Sequence, residues 1–506
     1  MKTAADGEIS DRRFPRPYLI AAVLLLLLTC WRSVGFHQGD EHFQILEFAA
    51  YKAGAVAEDQ LAWEFAERMR PATQPALAYV VYRAFGLFGP PNPYHVAFFL
   101  RLLSAAAFLG VAVWTYRRFA TRFAAPTLLR WFALALLFNW ASVYSGVRFS
   151  GENWSGLAVA AGLLLYPLDP ATDARRFTPG RDGGAAAVFG AGLLFGLAFL
   201  LRYQTAILVV GFGAWLLFVA RERWPRLALV VAGGLAALAV GTLLDRWLYG
   251  EWVIAPWHYV RSNLVEGKAA TFGTAPWWYY VEKTFERGVP PLSLLYLTAP
   301  LWFGWRFRRD PLVWMWVPFL AVHLYLSRKD LRFLFPLLPF LPVMMLALTQ
   351  VLWKSVKSRG RGRVWLRRVV VILAVVNGVA LASVALRPVI AEVAVSQYVW
   401  DHYTEPVTLL ADGRHVYTYA NLTMWFYQRP GRVIIHRTED RAAWPPCTTA
   451  VCLYSERTRS PDPPPGARLV YSNRPAWLLT TPLGRLLAHE RWWYIYELPP
   501  GAAPAE

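Results

Sequence analysis

Charge is what this sequence has least of. Asp, Glu, Lys and Arg make up 17% of its 506 residues, against about 25% in a soluble globular domain. The apolar residues gather in long uncharged blocks, which excludes one large water-facing core and points to a membrane as solvent. Negative charge is scarcer still, at 33 acidic against 52 basic residues and a net charge of +19. Such an excess could serve a nucleic acid, but the Arg clusters are separated by lipid-length segments, so no nucleic-acid partner is expected. Cysteine occurs three times. Cys30 lies in the first apolar block and reads as a small hydrophobe. Cys447 and Cys452 either form a disulfide, if their region is extracytoplasmic, or remain two free thiols. There is no Walker loop, no Cys/His metal spacing, no internal repeat and no low-complexity tract. A signal-peptide cleavage site is missing as well: Arg12, Arg13 and Arg16 precede an apolar stretch, but Cys30-Trp31-Arg32 follows it. The stretch is therefore expected to stay as a first span.

What is present is hydrophobic: 56% of residues, with a mean hydropathy of +0.30. Uncharged blocks run 17–31, 84–100, 102–116, 131–147, 153–168, 183–201, 203–220, 227–244, 288–305, 311–327, 333–353 and 369–386. A span takes about 20 residues, and flanking Arg and Trp supply a missing turn by snorkelling. The expected fold is mainly α, a polytopic transmembrane helical bundle of about 11–13 spans. Basic stretches at the N-terminus, Arg117–Arg130, Arg175–Arg181, Arg221–Arg226, Arg306–Arg309 and Lys354–Arg368 are placed in the cytoplasm by the positive-inside trend. Alternation then puts 32–70, 148–153, 202–204, 249–287, 327–332 and everything after 387 outside. Residues 72–95, with Pro90-Pro91-Asn92-Pro93, are an extra element that either dips into the membrane or crosses it.

Two regions differ from the spans. Residues 249–287 carry Trp252, Trp257, Tyr259, Trp277, Trp278, Tyr279 and Tyr280, and aromatic rings of this kind favour the headgroup level. They either anchor an interfacial loop or stack on a sugar. Residues 388–506 are Pro-rich with short β-type runs at 407–410, 433–435 and 492–496, and with helical character at 415–427. They read as a small C-terminal extracytoplasmic α/β domain following a membrane domain of residues 1–387.

Candidate chemistry sits at the outer ends of spans. Asp40 and Glu41 follow the first span by about one turn, in His37-Gln38-Gly39-Asp40-Glu41-His42. A carboxylate at this depth can take a proton from an attacking hydroxyl, and partial desolvation would strengthen it as a base. Equally, Asp40 can be the N-cap of a helix from Glu41 to Ala53 ended by Gly54, with Phe43, Leu46 and Ala50 toward the membrane. Arg328, Lys329 and Arg332 put three cations in five residues on the outer side, against the positive-inside trend; an anion such as a phosphate would explain them, as would a cytoplasmic turn. Arg148 and Glu152, four apart, are either an outer patch or a helix ion pair. Arg202 and Gln204 stand at a span junction, where an Arg snorkels or holds phosphate. Asp245 reads as a capping or interface residue. His37 and His42 flank the acidic pair, but two His five apart are a poor metal motif, and no metal or other cofactor is expected.

In this order the patches resemble glycosyltransferase family 22, the GPI-anchor and N-glycan mannosyltransferases, of the GT-C fold. The family pattern of an Asp-Glu pair followed by Gln and Leu-Glu reads here Asp40-Glu41, Gln44 and Leu46-Glu47. Its late His-Lys-Glu-x-Arg-Phe motif reads Arg328-Lys329-Asp330-Leu331-Arg332-Phe333, with two departures. A stretch like Arg-x-x-Ser-x-x-Glu matches Arg148 to Glu152 loosely, and Arg202-Tyr203-Gln204-Thr205 and the stretch from Asp245 to Asn263 also fit. The likeness covers about residues 15–390.

The resemblance implies inverting transfer of a sugar, typically mannose, from a polyprenyl-phosphate donor to a glycolipid or glycan acceptor, without metal, at the outer face of a lipid bilayer. Asp40 would be the base, Glu41 its aid, and Lys329 and Arg332 would neutralise the departing phosphate. The Arg/Ala/Gly-rich composition fits a bacterial inner membrane. Rival readings are another lipid-carrier transferase, of arabinose or protein-O-mannosyl type, a transporter of lipid-linked sugars, and a sensor. Transporters place ionisable groups mid-membrane; here they cluster at span ends.

Overall fold

The computed structural model describes residues 14–123, 125–170, 177–179, 184–356, 360–411, 413–429, 431–437, 444–447, 449–473 and 491–499. Arg12, Arg13, Arg175 and Arg181 lie outside them. Contacts divide the chain into two compact units: residues 1–32, 63–77 and 99–386 form one, and 33–62, 78–98 and 387–506 the other.

The first unit is helical. Across the described residues of the chain, five helices are long and apolar enough to cross a bilayer: Pro93–Arg122, Tyr203–Ala220, Trp224–Tyr249, Leu331–Ser355 and Arg361–His402. Pro126–Phe138 and Trp140–Gly146, bent by 41°, make a sixth if they are one span. Other apolar blocks form helices of 15–17 residues: Arg16–Arg32, Gly151–Leu165, Ala185–Leu201, Leu292–Arg306 and Pro311–Tyr325. The protein is an integral membrane protein. Residues 93–100 of the block 84–100 and the whole block 102–116 are one helix, Pro93–Phe119, while 84–86 end the helix Thr73–Gly86. The charge between the two blocks, Arg101, is buried and donates through Nε to the Cys30 carbonyl at 2.9 Å. A charge with a partner need not end a helix.

With lipid outside, helices gain from close approach of small residues. Gly192 on Ala185–Leu201 lies against the Val230 carbonyl, and Gly233 on Trp224–Tyr249 lies against the Phe189 carbonyl. Gly156 is packed against the backbone of Pro336 in the same way. Around them Phe132, Phe195, Phe212, Trp215 and Phe319 are buried in one apolar core.

The second unit holds the acidic turn after the first span and the C-terminal sheet. Strands β1 (Val407–Ala411), β2 (Val433–Arg437), β3 (Val451–Thr458), β4 (Arg468–Ser472) and β5 (Trp492–Glu497) lie in the order β2-β1-β3-β5-β4. β2, β1 and β3 are parallel, and β5 pairs antiparallel with both β3 and β4. A helix, Ala391–His402, precedes β1. The three β-type runs read from the sequence are β1, β2 and β5. Residues 415–427, expected to be helical, instead form a tiny hairpin, Thr418–Tyr419 with Leu422–Thr423, and one 3-10 turn, Trp425–Tyr427. Ala420 and Asn421 have positive φ, 48° and 65°, which turns the chain back there. Cys447 and Cys452 are disulfide-bonded.

Candidate active site

The acidic turn is built by an irregular helix. Gly39–Glu41 is one α-turn, His42–Leu46 one π-turn, and Glu47–Lys52 continues as α-helix. Asp40 is therefore not an N-cap: Gln38 holds that position with extended backbone, and its side chain makes no capping bond. Gly54, with φ of +79°, follows the helix end, where a left-handed residue is expected. Phe43, Leu46 and Ala50 are buried in the protein rather than presented to lipid. Asp40 is half-buried and Glu41 buried. Glu41 Oε1 accepts from the His37 N–H at 3.0 Å, which closes the turn back on its approach.

One turn on, His42 is fully buried, its ring stacked between Phe36 and Tyr427 at centroid distances of 5.2 and 5.1 Å. Its Nε2 lies 2.7 Å from Glu47 Oε1, which also accepts the Phe426 N–H at 3.2 Å. His42 thus presents Nε2 to a carboxylate. Sequence reasoning noted Glu47 only within a motif. A spacing of five puts two residues on different faces of an α-helix, so nothing in the pattern paired them.

In the first unit the cations converge on carboxylates. Glu152, in the first turn of Gly151–Leu165, is 4% exposed in its side chain; its Oε1 is 3.2 Å from Arg202 and 3.4 Å from Arg332. Arg332 Nε is also 3.3 Å from Asp330 Oδ2. Asp330 caps the run Leu331–Phe340 by accepting the Arg332 N–H at 3.2 Å. That run is a 3-10 helix with Pro336 and Pro339 inside it. The Phe333 ring lies under both guanidiniums, 5.4 Å from Arg202 and 5.5 Å from Arg332.

Arg148 and Glu152 are not an i,i+4 helix pair, because Arg148 precedes the helix that Ser150 caps through the Asn153 N–H. Arg148 is buried with its guanidinium over Tyr144 at 5.4 Å. Gln204 turns to the aromatic segment and donates to the Tyr259 hydroxyl at 2.6 Å. Arg328 donates to the Phe272 carbonyl. Asp245 accepts the Ala72 N–H at 2.8 Å, and so serves the start of Thr73–Gly86 rather than its own helix.

Lys329 differs from the other cations. It is 5% exposed, and its ammonium donates to the carbonyls of Ala275, at 3.1 Å, and Leu326. Among the described residues no carboxylate neutralises it. Burial pushes its pKa below the usual lysine value. A buried ammonium with a spare donor is suited to an anion.

Trp252, Trp257, Trp277 and Trp278 are exposed, whereas Tyr280 is buried. The segment is built of short helical pieces: Ala255–Val260 continued by the π-turn Arg261–Val265, then Lys268–Thr271 and Tyr279–Arg287.

The model of the Alg9-like mannosyltransferase family matches residues 17–436. The chain is 23% identical to GPI alpha-1,2-mannosyltransferase 3 of Bos taurus over 348 residues, 67% of this chain and 59% of that protein. It is 25% identical to GPI mannosyltransferase 3 of Yarrowia lipolytica over 336 residues, 65% of this chain and 61% of that one. The chain thus spans about three fifths of the length of these curated relatives. Among solved structures it is similar to ArnT from Cupriavidus metallidurans bound to undecaprenyl phosphate, with 13% identity and a TM-score of 0.48 over 97% of this chain and 98% of that one.

Proposed function

From the premise that the chain belongs to the Alg9-like mannosyltransferase family, we propose that it is a membrane glycosyltransferase using a polyprenyl-phosphate sugar. The sugar is mannose, the acceptor a glycolipid or glycan, and the reaction runs with inversion at the extracytoplasmic face of a bacterial inner membrane. The relatives named for mannose transfer support the sugar.

The observation that carries the reading is Lys329, a buried ammonium with no carboxylate partner among the described residues, two positions before the span Leu331–Ser355. Two carbonyls orient it and leave donor capacity for a phosphate oxygen. Arg332 and Arg202 lie in the same unit, held by Glu152 and Asp330, and offer further N–H donors there. In the second unit Asp40 is the half-buried carboxylate that takes the acceptor hydroxyl's proton. Glu41, tied to the His37 N–H, holds the turn.

The mechanism asks little covalent chemistry of the protein. The acceptor oxygen attacks the anomeric carbon from the face opposite the phosphate, its proton passes to Asp40, and the carbon–oxygen bond to the phosphate breaks. The enzyme positions the two substrates and stabilises the leaving dianion.

The test is transfer of labelled mannose from a synthetic polyprenyl-phosphate mannose by the purified protein in the presence of membrane lipid extract. A labelled product is expected; no transfer from this or related donors contradicts the reading. A topology reporter inserted at Arg328 is expected outside the cytoplasm. A cytoplasmic signal there would remove the phosphate argument.

A further inference from the structure

The helix that carries Asp40 contains one residue more in its second turn than an α-helix allows. The Glu47 N–H bonds to the His42 carbonyl, five residues back, across the π-turn His42–Leu46. In an α-helix, residues five apart point about 140° away from each other. In the π-turn they become neighbours, and only then can His42 Nε2 reach Glu47 Oε1 at 2.7 Å. π-Turns are costly relative to α and persist where side chains over-determine them.

The side chains do so here. His42 is clamped between Phe36 and Tyr427. Glu47 is 1% exposed and receives the Phe426 N–H on the same oxygen that meets His42. Its other oxygen and His42 Nδ1 are buried without a hydrogen-bond partner among the described residues. Two polar atoms buried in this way oppose the arrangement, so the bonds to Glu47 Oε1 have to outweigh them.

We propose that Glu47 is a positioning residue: by holding His42 and the Phe426 N–H it locks the π-turn, and the π-turn sets the direction in which Asp40 and Glu41 point. Losing the lock lets the turn relax to α-helix. Every residue before it then rotates by about 100° relative to the residues after it, and Asp40 leaves the acceptor hydroxyl. The consequence for catalysis rests on Asp40 being the base; the helix geometry does not.

The experiment therefore has a structural and a kinetic arm. A cryo-EM map of Glu47→Ala is expected to show an uninterrupted α-helix through 39–52; a retained π-turn overturns the proposal whatever Asp40 does. In the transfer assay Glu47→Ala is expected to lose kcat by about 100-fold, the cost of an ångström-scale misplacement, with the donor KM unchanged. Glu47→Gln keeps an oxygen for both donors and is expected to stay within about fivefold of the parent, the scale of one perturbed hydrogen bond. Deleting Ile45 in the Glu47→Ala background turns the π-turn into an α-turn with both flanks in their native phase, and is expected to recover most of kcat. Equal losses in Glu47→Ala and Glu47→Gln overturn the proposal, as does a well-folded deletion variant with no recovery. If Asp40→Ala is active while the map shows the relaxed helix, the positioning stands and the base assignment falls.

Discussion

Glu152 holds Arg202, fifty positions later in the chain, at 3.2 Å. The same oxygen serves Arg332 at 3.4 Å, so one buried carboxylate joins the starts of three segments: Gly151–Leu165, Tyr203–Thr205 and Leu331–Phe340. Removing it leaves two crowded guanidiniums with less counter-charge. Glu152→Ala is expected to destabilise the protein by about 3–5 kcal/mol, the range for a buried pair broken on one side. Thermal unfolding in detergent measures this, and Glu152→Gln should fall between the two.

Lys329 gives a pH prediction. Burial lowers its pKa from the usual lysine value, and only the ammonium form holds a phosphate. Donor KM is therefore expected to rise with pH, starting below the ordinary lysine pKa of about 10.4. Bound phosphate pulls the pKa back up, so the KM profile shifts more than the kcat profile. Lys329→Met should have a high donor KM at every pH, and Lys329→Arg should flatten the profile. Steady-state kinetics across pH decides it.

His415 links stability to pH. Burial, helped by the nearby charge of Arg437, lowers its pKa from 6.5 to about 4. The unfolded chain therefore takes up the proton first. Stability is full above pH 6.5 and falls as pH drops toward 4, by about 3 kcal/mol in all. His415→Gln is expected to remove most of that slope. Unfolding followed by tryptophan fluorescence at several pH values measures it.

The helix pair Ala185–Leu201 and Trp224–Tyr249 depends on Gly192, where a Cβ would collide with the Val230 backbone. Gly192→Leu is expected to cost about 1–3 kcal/mol through overpacking. Gly234→Ala is a control: its Cβ would come no nearer than 3.8 Å to the Gly192 carbonyl. It should shift stability by less than about 0.5 kcal/mol.

Membrane character was legible because long uncharged blocks have no other use in a chain of this length. Element boundaries were less so. Arg101 divided one helix into two on paper, because a sequence does not show that a carbonyl waits for the charge. The sheet was half-legible: β1, β2 and β5 are apolar runs, while β3 carries Ser455, Glu456 and Arg457 and does not read as one. At the candidate site the sequence named residues but not their partners. Arg148 stands near Glu152 in sequence, yet Glu152 pairs with Arg202 and Arg332 from far along the chain. Glu47 was hidden by a helical irregularity, since periodicity arguments assume a constant turn.

In the proposed reaction Asp40 accepts the proton of the attacking hydroxyl. The most direct measurement compares wild type with Asp40→Ala in transfer from synthetic polyprenyl-phosphate mannose at saturating donor. The expected result is a loss of kcat of about 10²–10⁴-fold, the range for a general base, with donor KM little changed. Full turnover by Asp40→Ala would contradict it.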